Sequence, residues 1–111
     1  MNKNGVLLWV DDEIDLLRAH ILFLENKGYQ VDTVTNGRDA IERCRQFNYD
    51  LVLLDEHMVG MSGLETLGYI KENNPNIPIV QFAWTIDALQ IAMIMYDASH
   101  SILVVIIGKS K

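Results

Sequence analysis

The chain has 111 residues, of which 50% are hydrophobic and 22% charged, and its formal net charge is −6. These values predict a single packed domain over residues 1–111 and exclude a disordered chain. An acidic chain argues against direct nucleic-acid binding, and no run of about 18 apolar residues predicts a membrane span. The single Cys44 cannot form an intramolecular disulfide, and we expect it to be a small buried apolar residue. Because the opening MNKNG has no apolar signal segment, we expect a cytoplasmic protein.

Strand-like and helix-like segments alternate along the chain. The patterns predict five strands, at 6–10, 29–35, 51–54, 77–82 and 101–107. They also predict four helices. The first covers 13–27, the second begins at Asn36-Gly37, the third follows the loop 56–62, and the fourth covers 86–97. The first helix has an apolar stripe that ends before Gly28, formed by Ile14, Leu17, Ile21 and Leu24. The second helix is expected to turn four residues inward: Ala40, Ile41, Cys44 and Phe47. The third helix carries three apolar residues: Leu64, Leu67 and Ile70.

This alternation predicts an α/β fold with a doubly wound, five-stranded parallel sheet of order 2-1-3-4-5. The strands are continuously apolar, as is typical when helices cover both faces of a sheet. In such a sheet the ligand site lies at the carboxyl ends of the strands, at the switch point between strands 1 and 3. Both of these strands end in acid, with Asp11 and Asp12 after the first and Asp55 after the third.

The three carboxylates are therefore expected to meet at one site. Their mutual repulsion favours a bound proton or a cation, and an all-oxygen donor set favours Mg²⁺ over zinc. With the metal bound, Asp55 could act as a carboxylate nucleophile toward phosphorus. The alternative interpretation is that Asp12 and Glu13 only cap the helix that follows them.

Four stretches of the chain resemble the response-regulator receiver domain of bacterial two-component signalling. They are LLWVDDE at 7–13, TNGRDAIE at 35–42, DLVLLDEHMVGMSGLE at 50–65 and IPIV at 77–80. The resemblance covers about residues 1–82. Within the family, the motif sequences are similar to those of receivers of the PorX type. It implies the flavodoxin-like receiver fold, with the last helix missing.

The resemblance also implies roles for individual residues. Asp55 would be phosphorylated by a histidine kinase, Asp12 would ligate Mg²⁺ directly, and Asp11 would act through water or as a second ligand. The backbone carbonyl of His57 would be the third protein ligand, a role that needs no particular side chain. The chain would then be a signalling module and not an enzyme.

The last quarter departs from the family pattern. Ala83 stands where the family has Ser or Thr, and Thr85 is a candidate substitute. The family lysine position falls on Val105, and Lys109 could replace that lysine only with a slip of four residues. Without this lysine, the transferred charge loses a cation partner. Near the site, Val59 replaces the usual proline.

These departures leave alternatives open. One is a degenerate receiver that binds partners without phosphorylation; another is a phosphatase with an aspartate nucleophile. The phosphatase class would have Asp-x-Asp after strand 1, where this chain has Asp-Asp-Glu. The apolar ALQIAMIMY at 88–96 predicts a homo-oligomer that associates through helix 4 and strand 5, or else a core helix in an irregular fold.

Overall fold

The computed structural model describes residues 5–82 and 104–107. Its strands are β1 (Gly5–Val10), β2 (Tyr29–Val34), β3 (Leu51–Asp55), β4 (Ile79–Phe82) and β5 (Val104–Ile107). Its helices are α1 (Arg18–Asn26), α2 (Gly37–Gln46) and α3 (Gly63–Asn73), and a 3₁₀ turn over Ile14–Leu17 precedes α1. The helix predicted at 86–97 lies outside the described residues, as does the position of any last helix.

The five strands form one parallel sheet of order β2-β1-β3-β4-β5, which confirms the predicted topology. Strand β1 pairs with β2 along its whole length, from Gly5 opposite Tyr29 to Val10 opposite Val34. On its other side β1 pairs with β3, with Val10 opposite Leu54. The chain therefore reverses its direction of winding between β1 and β3, and the carboxyl ends of these two strands lie side by side.

Apolar side chains cover both faces of the sheet. On the face under α1 the buried residues are Leu7, Trp9, Ile14, Leu17, Ile21, Leu24, Leu51, Leu53 and Val80. On the face under α2 and α3 they are Leu8, Val10, Val34, Ala40, Cys44, Tyr49, Val52, Leu54, Ile70 and Ile79. Successive residues of β1 alternate between these two cores, which explains why the strand is apolar throughout.

The first helical segment differs from the prediction in its beginning. Residues 14–17 form a 3₁₀ turn, and regular α-helix starts only at Arg18. All four residues of the predicted stripe are buried, as expected. The segment ends as predicted at Gly28, whose φ of +96° is a conformation that glycine adopts without strain.

The second helix begins as predicted, because the Asn36 side chain accepts a hydrogen bond from the Asp39 amide at 2.8 Å. The prediction that Phe47 points inward is wrong: its side chain is 53% exposed. The reason is that α2 stops at Gln46 and Phe47 is already extended, so it leaves the helical stripe. Tyr49 is buried instead, and its hydroxyl donates to Asp32 at 2.7 Å.

The predicted third helix is α3, in which Ile70 is buried and Leu64 is 57% exposed. In the described part of the chain, no helix is both long enough and apolar enough to cross a membrane.

Candidate phosphoacceptor and metal site

The ends of β1 and β3 bring together three carboxylates, as predicted. One carboxylate oxygen from each of Asp11, Asp12 and Asp55 lies within 4.8 Å of the other two. Because Val10 is opposite Leu54 in the register, Asp11 follows directly beside Asp55. Asp11 is buried, Asp55 is half-buried and Asp12 is exposed, so the cluster runs from the sheet edge to solvent.

Each carboxylate accepts a hydrogen bond from a backbone amide. Asp11 Oδ1 accepts from the Glu13 N–H at 2.8 Å, and Asp55 Oδ1 accepts from the His57 N–H at 3.1 Å. Asp12 Oδ2 accepts from the Val59 N–H at 3.4 Å, a contact between two different loops. The interpretation of Asp12 and Glu13 as helix caps is therefore wrong, since Asp11 binds the Glu13 amide and Glu13 makes no side-chain cap.

The surroundings raise the pKa of two of these acids. Burial, together with the negative charges of Asp11 and Asp12, raises the pKa of Asp55 to about 6 against the opposing hydrogen bond from His57. Burial also raises the pKa of Asp11, to which the charge of Asp12 adds. The cluster is thus unfavourable when fully ionised without a cation. Three carboxylates without sulfur ligands suit Mg²⁺, and this donor set fits the predicted metal.

The loop after β3 approaches the site closely, as Gly60 and Gly63 allow. The Gly63 amide donates to the Glu56 carbonyl at 3.2 Å, and a Cβ on Gly63 would lie 2.5 Å from the Asp55 carbonyl oxygen. Gly60 has a φ of +86°. The start of α3 therefore packs against the end of β3 so tightly that a side chain at position 63 does not fit.

A capping box fixes the start of α3. The Ser62 hydroxyl accepts from the Glu65 amide at 3.1 Å, and the Glu65 carboxylate accepts from the Ser62 amide at 3.0 Å. Glu56 adds a further contact, accepting from the Leu64 amide at 3.0 Å. The sequence interpretation did not assign a role to Glu56 or to the Val59 amide, because both contacts join residues that no local motif connects.

Two predicted site residues, Thr85 and Lys109, lie outside the described residues. His57 is exposed, and its contact with the site is through its backbone N–H. The role predicted for its carbonyl stays a prediction.

The doubly wound parallel sheet is that of an α/β domain with flavodoxin-like topology. The acidic cluster at its switch point offers oxygen ligands of the kind that bind divalent cations. The family model described as the response regulator receiver domain matches residues 7–103. The chain therefore belongs to the receiver-domain family of response regulators.

Curated relatives agree with this assignment. The transcriptional regulatory protein ZraR of Klebsiella oxytoca is 42% identical over 74 residues, which cover 67% of this chain and 17% of that protein. The transcriptional regulatory protein ResD of Bacillus subtilis is 39% identical over 79 residues, covering 71% of this chain and 32% of ResD. The chain thus spans a third or less of these two regulators.

Solved structures show the same fold. The response regulator TrrA of Thermotoga maritima, in complex with Mg²⁺-BeF, is 32% identical with a TM-score of 0.68, over 99% of this chain and 88% of that chain. TrrA in complex with the histidine kinase ThkA matches at the same identity and TM-score, over 99% of this chain and 87% of that chain. The assignment to the PorX type is not tested by these matches and stays a prediction.

Proposed function

We propose that this receiver domain accepts a phosphoryl group on Asp55 from a histidine kinase in a reaction that requires Mg²⁺. The observation that carries the proposal is the meeting of Asp11, Asp12 and Asp55 within 4.8 Å at the switch point of the sheet. TrrA, which is 32% identical to this chain, was solved with Mg²⁺-BeF and with a histidine kinase, and both complexes support the proposal. The chain would then act as a signalling module in the cytoplasm and not as an enzyme.

In this proposal Asp11, Asp12, Asp55 and the His57 carbonyl hold the metal. Bound Mg²⁺ would neutralise the carboxylates and the charge of the incoming phosphoryl oxygens. An Asp55 carboxylate oxygen attacks phosphorus, the bond from phosphorus to the kinase imidazole nitrogen breaks, and its electron pair leaves with that nitrogen. The product is an acyl phosphate on Asp55, which adds negative charge at the switch point.

Thr85 and Lys109 complete the proposed site. The Thr85 hydroxyl would donate to the phosphoryl group, and Lys109 would supply the cation that the family has in strand 5. Replacing each separately, Thr85→Ala and Lys109→Met, should lower the rate of labelling or shorten the lifetime of the phosphorylated form. If neither variant changes these values, the two assignments fail while Asp55 stands.

One sequence feature favours a second function, binding of a partner without phosphorylation. Ala83 lacks the hydroxyl that would link phosphorylation to a rearrangement after β4. A phosphorylation-independent module would bind its partner with equal affinity with and without Mg²⁺ and a beryllofluoride mimic. The phosphoacceptor proposal expects the two affinities to differ.

The test of the main proposal is labelling with acetyl phosphate, read as an added phosphoryl mass. The wild type should be labelled with Mg²⁺ but not with excess chelator, and Asp55→Asn should not be labelled. Asp50→Asn is the matched control, because Asp50 precedes the same strand at its opposite end, where its carboxylate accepts from the Val6 amide at 2.7 Å. Equal labelling of Asp55→Asn and wild type would refute the assignment.

A further inference from the structure

The amide of Val59 makes a contact that the proposed chemistry does not use. Among the three acids of the cluster, Asp11 and Asp55 accept from amides two residues ahead of them in their own segments. Asp12 accepts from Val59, which lies 47 positions away in the chain. This bond joins the β1–α1 loop to the β3–α3 loop, so it depends on the positions of both loops.

Asp12 is the carboxylate that most needs such a partner. It is exposed, and it faces the negative charges of Asp11 and Asp55 within 4.8 Å. Without an attractive contact, repulsion would turn its side chain toward solvent, where the charge is hydrated. A carboxylate has two oxygens with several acceptor sites, so one N–H leaves capacity for a cation. Hydrogen bonds to a ligating group orient it and strengthen metal binding.

We infer that the Val59 N–H is a positioning group that holds Asp12 in the cluster and thereby strengthens Mg²⁺ binding. The inference rests on the proposed function, since it assigns Asp12 as a ligand. The side chain of Val59 plays no part in it, because it is 85% exposed. The effect therefore belongs to the backbone, and a proline at position 59 would lack the donor.

This difference between backbone and side chain gives a matched pair of variants. Val59→Pro removes the N–H, whereas Val59→Ala keeps it and removes only exposed side-chain atoms. In an NMR titration with MgCl₂, Val59→Ala should bind like the wild type. Val59→Pro should bind Mg²⁺ about three- to tenfold more weakly than the wild type. This loss is smaller than the loss expected when a buried hydrogen-bond partner of a metal ligand is removed, because the bond from Val59 is exposed and long. Urea titration of each variant shows whether it is folded.

A double-mutant cycle separates this role from a general change in the loop. In the Asp12→Ala background the Val59 amide has no carboxylate to hold, so Val59→Pro should cause no further loss of Mg²⁺ affinity. An equal loss in both backgrounds would overturn the inference, as would equal affinity of Val59→Pro and Val59→Ala. If the wild type binds no Mg²⁺ at all, the proposed function fails together with the inference; if it binds and the variants agree, only the inference fails.

Amide exchange gives a second readout that does not depend on proline. In the metal-free wild type, the Val59 amide should exchange more slowly than the amide of an unstructured loop, and Asp12→Ala should remove this protection. An unprotected Val59 amide in the wild type would contradict the contact itself.

Discussion

At the scale of single residues, Asp55 combines two properties that both disfavour its ionised form. It ends a buried strand, and it lies beside two other acids. Its pKa, raised to about 6 by burial and then by neighbouring charge, means that the metal-free fold holds a proton which the unfolded chain has already lost. The contribution of Asp55 to the free energy of unfolding should therefore fall as the pH rises from about 4 through about 6.

Asp55→Asn should remove this cost. Near pH 7 and without metal, the variant should be more stable than the wild type by about 1 kcal/mol, a figure reduced for the solvent that reaches the site. The gain should shrink as the pH falls from about 6 toward 4, because Asp55 is protonated in the folded state there and becomes protonated in the unfolded chain as well at still lower pH. Urea titrations at several pH values measure it, with Glu72→Gln on the exposed face of α3 as a control for the loss of one charge. A gain that does not depend on pH would contradict the explanation.

Tyr49 is expected to contribute to the stability of the fold and not to the chemistry of the acidic site. Its buried hydroxyl donates to Asp32 at 2.7 Å, and Arg43 contacts the same carboxylate oxygen at 3.4 Å. Burial raises the pKa of Tyr49 to about 12, so the hydroxyl keeps its proton at neutral pH. Tyr49→Phe should lower the free energy of unfolding by about 1 kcal/mol. The same change at Tyr69, which is 51% exposed, should have little effect in the same thermal or urea titration.

At the scale of elements, the start of α3 packs directly against the end of β3, which carries Asp55. Gly63→Ala places a Cβ 2.5 Å from the Asp55 carbonyl oxygen and 2.9 Å from the Glu56 Cα, and both are backbone atoms that cannot rotate away. We expect a loss of about 1–3 kcal/mol in the free energy of unfolding. Because the end of β3 must shift, Mg²⁺ affinity should fall as well.

The same helix provides the control for this prediction. Gly68 also lies in α3, and a Cβ there would meet no atom within 4 Å. Gly68→Ala should therefore stabilise the protein by about 0.5–1 kcal/mol through helix propensity alone. In urea titration the stabilities of the two alanine variants should shift in opposite directions, and in an NMR titration with MgCl₂ only Gly63→Ala should lose affinity. Equal effects would mean that the close approach at Gly63 does not matter.

The elements also show how far the sequence could predict this structure. Apolar runs and their spacing were enough for the strands, the stripe of α1 and the order of the sheet, because these depend on periodicity and chain connectivity. Phe47 could not be placed in this way, since its direction depends on where α2 ends. The Asn36 cap was predictable because its partner is only three residues away.

The site was predictable to a similar degree. The meeting of Asp11, Asp12 and Asp55 follows from topology, because adjacent parallel strands end at one edge of the sheet. The Val59 contact with Asp12 does not follow, since it joins two loops whose conformations no local pattern specifies. The same limit applies to Glu56, whose carboxylate reaches the Leu64 amide eight residues ahead.

At the scale of the whole molecule, the proposed metal site should couple Mg²⁺ binding to folding. The unfolded chain does not hold Asp11, which follows β1, near Asp55 at the end of β3, so Mg²⁺ should bind the folded state almost alone. A Mg²⁺ concentration ten times the dissociation constant should then raise the free energy of unfolding by about 1.4 kcal/mol at neutral pH. The gain should be smaller at pH 5, because below its pKa of about 6 Asp55 takes up a proton in competition with the metal.

General screening of a chain with a net charge of −6 is the effect to exclude. Potassium chloride at matched ionic strength should stabilise the wild type less than Mg²⁺ does, because screening does not require the three carboxylates to be assembled. Glu72→Gln should keep the full Mg²⁺ gain, and a variant carrying Asp11→Asn and Asp12→Asn should lose most of it. If that double variant gains as much as the wild type, Mg²⁺ acts by screening, and the cluster at the switch point is not its binding site.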